Sequence, residues 1–237
     1  MIKLVFIVVL CAFMSASAFA DMAQVKVTQG PGVGNGGAFT AEVISGAISY
    51  DSVYIGPGSE FLTFCMELTE SFKPGYTYYA DSRDAAYSGG AGGASGSPLH
   101  DDLDPVTAAL YTQWLSTEDT TDVDTASMYQ LAIWMVEEEI EWDNSRWEQY
   151  NTNTAIHGAY QETKFDYDTS IQSLITGVGN PTSIGNVRVM TLWTSYSADP
   201  DTFTGNRQDM LVAPVPAAVL LGILGLSVAG IKLRKYA

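Results

Sequence analysis

The chain has 237 residues, 46% of them hydrophobic and 11% aromatic, which is the make-up of a folded protein and excludes a disordered spacer. It carries 11 basic and 27 acidic residues, a net charge of −16. Four of the 11 basic residues (Lys3, Lys232, Arg234, Lys235) lie in the two end segments, where there are no acids, so the body holds the other 7 against all 27 acids, a balance of −20. Such a surface excludes nucleic acid and anionic lipid as partners of the body.

Residues 1–20 read as a secretory signal peptide. Lys3 is a short positive region, Leu4 to Met14 an unbroken apolar stretch, and Ala18-Phe19-Ala20 a small-x-small cleavage site before Asp21. Leu10 is too large to precede a lipidated Cys11. Removal of this segment by signal peptidase takes Cys11 with it and leaves Cys65 as the one cysteine of the mature chain, so no internal disulfide is expected in an oxidising compartment.

The body, residues 21–211, reads as an extracellular α+β domain with a mainly antiparallel sheet and two to three inserted helices. Strands are predicted over Gln24 to Thr28, Phe39 to Ile44, Ala47 to Tyr54, Glu60 to Leu68 and Tyr76 to Ala80. In the fourth, alternation puts Phe61, Thr63, Cys65 and Glu67 on one face. Ser88 to Ser97 is a Gly/Ser loop with no Lys-Ser/Thr pair after it, which excludes a phosphate cradle. Asp104-Pro105 caps and starts a helix. Asp124 or Thr125 caps a second, running to about Glu141, with Met128, Leu131, Ala132, Met135 and Val136 at helical spacing and Glu137 to Glu141 as a solvated end. Trp142 to Tyr160 reads as a polar, aromatic loop and Tyr167 to Ile175 as a third helix. Asn186 to Tyr196 reads as a strand, Asp199 to Asn206 as a turn and Gln208 to Val212 as a last short strand.

Val215 to Ile231 is apolar or small throughout and stops at Lys232, Arg234 and Lys235. That pattern predicts one transmembrane helix over 215–231 with a cytoplasmic basic tail, leaving the body outside. Pro214-Val215-Pro216, the apolar stretch and the basic cluster together resemble a PEP-CTERM sorting signal over residues 212–237. Val215 stands where the common form has Glu, and Ala217 where a variant form has Gly. The resemblance implies processing by an exosortase-like enzyme and a body anchored in the membrane, or released to the cell surface or extracellular matrix.

Two stretches carry candidate chemistry. Phe64-Cys65-Met66-Glu67 sits in a predicted strand, and Tyr129-Gln130-Leu131-Ala132-Ile133-Trp134 in a predicted helix. The pair resembles the thioester domains of bacterial surface adhesins. The resemblance implies a bond between the Cys65 thiol and the Gln130 acyl group, shielded by Trp134 one turn on, and amines on a surface as its targets. The alternative for the same residues is a small buried cysteine and an ordinary glutamine.

The acidic groups Asp101, Asp102, Asp104 with His100, and Asp199-Pro200-Asp201 with Gly205 and Asn206, do not match the twelve-residue calcium loop, so no metal site is expected. His157 has no cysteine or serine nearby in sequence with which to form a triad. The expected protein is non-enzymatic, with no cofactor. A second class remains open: a domain that binds or hydrolyses extracellular polysaccharide, motivated by the aromatic stretch Trp142 to Tyr150, whose rings could stack on sugars, and by Glu137 to Glu141 as paired carboxylates.

Overall fold

The computed structural model describes residues 22–31, 37–68, 70–87, 101–117, 119–140, 169–198 and 201–214. The expected signal peptide 1–20, Trp142 to Tyr160, the expected transmembrane helix 215–231 and the basic tail lie outside them. Among the described residues no helix is long and apolar enough to cross a membrane.

The fold is mainly antiparallel sheet with helices packed on it. The strands among the described residues are β1 (Ala23–Gln29), β2 (Phe39–Ser45), β3 (Ile48–Tyr50), β4 (Val53–Ile55), β5 (Glu60–Thr63), β6 (Thr77–Arg83), β7 (Ala85–Ala86), β8 (Asp101–Asp102), β9 (Arg188–Ala198) and β10 (Asp201–Val212). The helices are α1 (Pro105–Leu115), α2 (Val123–Val136) and helical backbone over 169–177, here α3.

Six strands form one sheet in the order β10-β9-β6-β1-β2-β5. The chain just beyond β5 then pairs with β10: Leu211 N donates to Phe64 O at 3.0 Å and Met66 N to Asp209 O at 2.8 Å, with Cys65 opposite Met210. The Thr63 hydroxyl adds a bond to Leu211 O at 2.5 Å. The two edges of the sheet therefore meet, and among the described residues it closes into a barrel.

Alternation makes that barrel. In β1, Ala23, Val25 and Val27 are buried, and in β2, Phe39, Ala41 and Val43 are, with intermediate residues between them. Cross-strand partners share a face, so Met210, Met190 and Cys65 line the same interior wall.

Helix α1 covers the other side of the Phe64 segment. Asp104 accepts from Val106 N at 2.6 Å and Pro105 fills the first turn, as the sequence predicts. Trp114 lies 4.4 Å and Tyr111 6.3 Å from the Phe64 ring, all three fully buried. Each such ring contributes roughly 1.5–3 kcal/mol on burial. The Tyr111 hydroxyl donates to Leu62 O at 2.5 Å and ties the helix to the strand.

Several boundaries differ from the sequence reading. Ala47 to Tyr54 is not one strand but the hairpin β3–β4, turning at Asp51 with φ 48°. The expected turn Asp199 to Asn206 is largely strand: β10 starts at Asp201 and pairs Thr202 with Ser197 and Phe203 with Tyr196. Helix α2 is capped by Asp122, whose carboxylate accepts from Thr125 N at 2.7 Å, rather than by Asp124 or Thr125. It ends at Val136, not Glu141. The short β7–β8 pair was not anticipated.

Candidate functional site

The site forms where α2 meets the Phe64–Glu67 segment. β2 starts at Phe39, which pairs with Thr63, so the strand next to β5 stops short of Cys65. On its other side Cys65 faces Met210 at a position whose bonds to β10 are made by its neighbours Phe64 and Met66. The N–H and C=O of Cys65 are thus left pointing to an edge with no strand. The Gln130 side chain fills that place: its Oε1 accepts from Cys65 N at 3.1 Å, and its Nε2 donates to Cys65 O at 2.7 Å.

Both residues are buried, Cys65 at 4% and Gln130 at 1% exposure. Removal from water, and then the charge of Glu70, push the Cys65 thiol well above the ordinary thiol range, so it is held protonated. The Gln130 carbonyl, by contrast, is polarised by the peptide N–H it accepts from, and that donor sits where negative charge develops when a nucleophile adds to the amide carbon. Trp134 is buried one turn along α2 from Gln130.

A second group of side chains surrounds the first. The sequence reading set Glu137 to Glu141 in solvent. Glu137 and Glu139 are instead buried, at 5% and 0% exposure, and only Glu138 between them is exposed. The cause is the turn that ends α2: Glu138 takes φ 58°, and the N–H groups of Glu139 and Ile140 both return to Trp134 O, at 2.8 and 3.2 Å. That reversal sends Glu139 inward, where Oε2 accepts from Leu68 N at 2.9 Å, three residues past Cys65. Glu137 accepts from Asp104 N at 3.3 Å. On β10, Asp209 accepts from Tyr87 N at 2.8 Å.

Glu67 lies among these groups at 1% exposure, and among the described residues neither of its carboxyl oxygens has a hydrogen-bond partner. Burial first, then the charges of Glu139, Asp209, Glu70 and Asp101, push it up to about 10. Burial likewise raises Glu137 to about 8, with Asp101 and Asp104 adding to it, and raises Asp101 to about 6, with Glu139 the next cause. Among the described residues, no three His, Cys, Asp or Glu side chains stand in a geometry that could hold a metal ion.

Of the residues singled out in the sequence, the structure brings Cys65 and Gln130 together and joins Asp101 and Asp104 to the carboxyl group cluster. Pro214 is half-buried, while Val215, Pro216, Lys232, Arg234 and Lys235 lie outside the described residues, as does His157. The sequence reading missed the role of Glu67 and Glu139. No local signal marks Glu139, because Glu137-Glu138-Glu139 is a uniform run and the reversal at Glu138 is what buries its two outer members. Compared with protein-family models, curated proteins and solved structures, the chain matches none of them.

Proposed function

We propose that this chain is an exported cell-surface or extracellular-matrix protein, held or processed through its C-terminal sorting signal, whose body forms an internal thioester between Cys65 and Gln130. The observation that carries the reading is the pair of hydrogen bonds between the Gln130 amide and the Cys65 backbone, which holds the acyl group beside the one cysteine of the mature chain. The step balances without a co-reactant. The Cys65 sulfur adds to the Gln130 amide carbon, the carbon–nitrogen bond breaks, and the thiol proton leaves on nitrogen as ammonia. The Cys65 N–H stabilises the oxygen during the addition. Burial of both residues keeps water from the product, and Trp134 is the ring assigned to shield it. The thioester is then an electrophile for amines on a neighbouring surface, and the protein acts once as an adhesin rather than turning over as an enzyme.

The experiment is intact mass with methylamine. The mature protein should weigh one ammonia less than its sequence, take up methylamine covalently, and show no titratable thiol on denaturation. Cys65→Ala and Gln130→Ala should restore full mass and abolish uptake. A wild-type chain of full mass with one free thiol leaves Gln130 as a purely structural cap.

One observation favours a second reading, binding of extracellular polysaccharide. Tyr79, Trp193, Tyr196 and Phe203 form a continuous aromatic row across β6, β9 and β10, with ring centroids 5.1–5.8 Å apart. The Arg83 guanidinium lies over Tyr87 and Trp193, at 5.3 and 5.8 Å, and pairs with Asp81. Trp193 is buried beneath the row, while Tyr79, Tyr196 and Phe203 are partly exposed, and aromatic faces beside an Arg–Asp pair suit the C–H and hydroxyl groups of a sugar. Affinity electrophoresis in polysaccharide gels tests it: retardation lost in Phe203→Ala supports binding, and equal mobility of both proteins removes it.

A further inference from the structure

We infer that the buried carboxyl groups around Glu67 form a proton-operated latch, which fastens the end of the Gln130 helix to the chain that carries Cys65 when Glu67 is protonated and loosens it when Glu67 ionises. The latch joins four segments. The Cys65 segment contributes Glu67 and Glu70, and the end of α2 contributes Glu137, Glu138 and Glu139. The β8–α1 junction contributes Asp101, Asp102 and Asp104, and β10 contributes Asp209. Its fastening is the bond from Leu68 N to Glu139 Oε2 at 2.9 Å, which spans from one turn past the helix to three residues past Cys65. Its sensor is Glu67, fully buried, with both oxygens unpartnered among the described residues and with Glu139 and Asp209 as the charges that act on it most strongly.

The geometry gives the direction of the switch. A neutral Glu67 adds no charge beside Glu139, and the clamp on Leu68 stays closed. An ionised Glu67 places a second negative charge in the same low-dielectric space, where like charges repel strongly. The segment that yields is the short turn after α2, whose returning bonds to Trp134 O lie within its own helix, whereas the Cys65 chain is fixed by its bonds to β10 on one side and to Gln130 on the other. Glu137 and Asp101 act in the same sense, because each sits among other carboxyl groups and is held toward its neutral form. Raising the pH therefore opens the joint next to Gln130, and lowering it closes the joint.

The consequence for reactivity rests on the thioester reading, since opening this joint exposes the Cys65–Gln130 bond to amines. The latch itself does not, and the two are tested apart. Hydrogen exchange at the Leu68 amide, corrected for the intrinsic pH dependence, is measured between pH 6 and 9.5 on the full mature chain and on Cys65→Ala, which cannot form a thioester. Protection should fall at least about tenfold across this range in both proteins. Glu67→Gln, which keeps the shape and cannot ionise, should make the fall markedly smaller, the remainder coming from Glu137 and Asp101, and Glu139→Ala should lose protection at every pH. Protection that does not change with pH in Cys65→Ala, or that falls equally in Glu67→Gln, overturns the latch. Methylamine uptake then separates the two ideas. Uptake that rises with pH beyond the ionisation of methylamine, and rises less in Glu67→Gln, joins the latch to the thioester. Absence of uptake alongside pH-dependent protection removes the thioester and keeps the latch.

Discussion

Gln130 stands against Cys65 as a strand would, giving one donor and one acceptor to the backbone of a residue that β2 does not reach. This gives the glutamine a structural task besides any chemistry. Gln130→Ala should leave a buried N–H and C=O without partners, each costing about 1–3 kcal/mol, and should lower stability by several kcal/mol. Cys65→Ala removes one sulfur and leaves both bonds, so it should destabilise by about 1–2 kcal/mol or less. Urea denaturation of the two variants checks the order. Equal losses would mean that the backbone bonds contribute little.

Stability should fall as pH rises above about 5. Glu67, Glu137 and Asp101 are all held above their ordinary values in the folded chain, to about 10, 8 and 6. The folded state therefore binds more protons than the unfolded state once pH exceeds the ordinary carboxylate range near 4.5. The stability these groups contribute is fully present below that range. It is lost as pH rises, first through Asp101, then Glu137, and last as pH approaches the folded-state value of Glu67. Thermal unfolding from pH 5 to pH 9 should show a falling Tm. Glu67→Gln should flatten the slope and raise Tm at pH 8 by at least about 2–4 °C. A Tm that rises across this range would show that these carboxyl groups are not held neutral in the folded protein.

The antiparallel strands were legible where one face of a strand is buried and the other is not, whereas the closure of β5 onto β10 was not. Val25 and Val27 or Ala41 and Val43 announce their strands by period two alone. The first half of β10 was not, because Thr202, Thr204, Gly205 and Arg207 are exposed, and without a buried face its polar residues carry turn chemistry. It is a strand through its pairing with β9, which no local pattern records. The hairpin at Asp51 was hidden because a non-glycine residue with positive φ gives no sequence signal. At the site, only the resemblance pairs Cys65 with Gln130; the residues of the two motifs do not by themselves say that a strand thiol and a helix amide meet. Their contact depends on β2 stopping at Phe39, a fact of tertiary register. The carboxyl cluster was misjudged for a related reason: three glutamates in a row at a helix end read as solvated, and only the reversal at Glu138 turns two of them inward.

The two chain ends have their own tests. Protein recovered from the outer face of the membrane should begin at Asp21 by N-terminal sequencing, and a start at Met1 or Ile2 would make the first segment an anchor. Deleting residues 215–237 should move the body from the membrane fraction to the soluble exported fraction. Retention of the truncated chain in the membrane would refute the anchor assignment.

Glu138→Gly should stabilise the protein. Glu138 is exposed, takes φ 58° and occupies the left-handed position that ends a helix, where a side chain crowds its own backbone and glycine does not. Relief of that crowding is worth about 1–2 kcal/mol, less the greater freedom glycine gives the unfolded chain, so the net gain should be roughly 0.5–1 kcal/mol. Removing the Glu138 charge also relieves Asp101, which it pushes up. For a chain of this size the gain corresponds to about 1–4 °C in Tm. Glu138→Val, with a branched side chain at the same φ, should lose at least as much as glycine gains. The clamp from Glu139 to Leu68 depends on the reversal itself and not on the residue that makes it, so Leu68 amide protection at pH 6 should be unchanged or higher in Glu138→Gly. If glycine destabilises here, the exposed glutamate makes a contact that outweighs its backbone strain, and the turn is held by that side chain rather than by the returning bonds to Trp134.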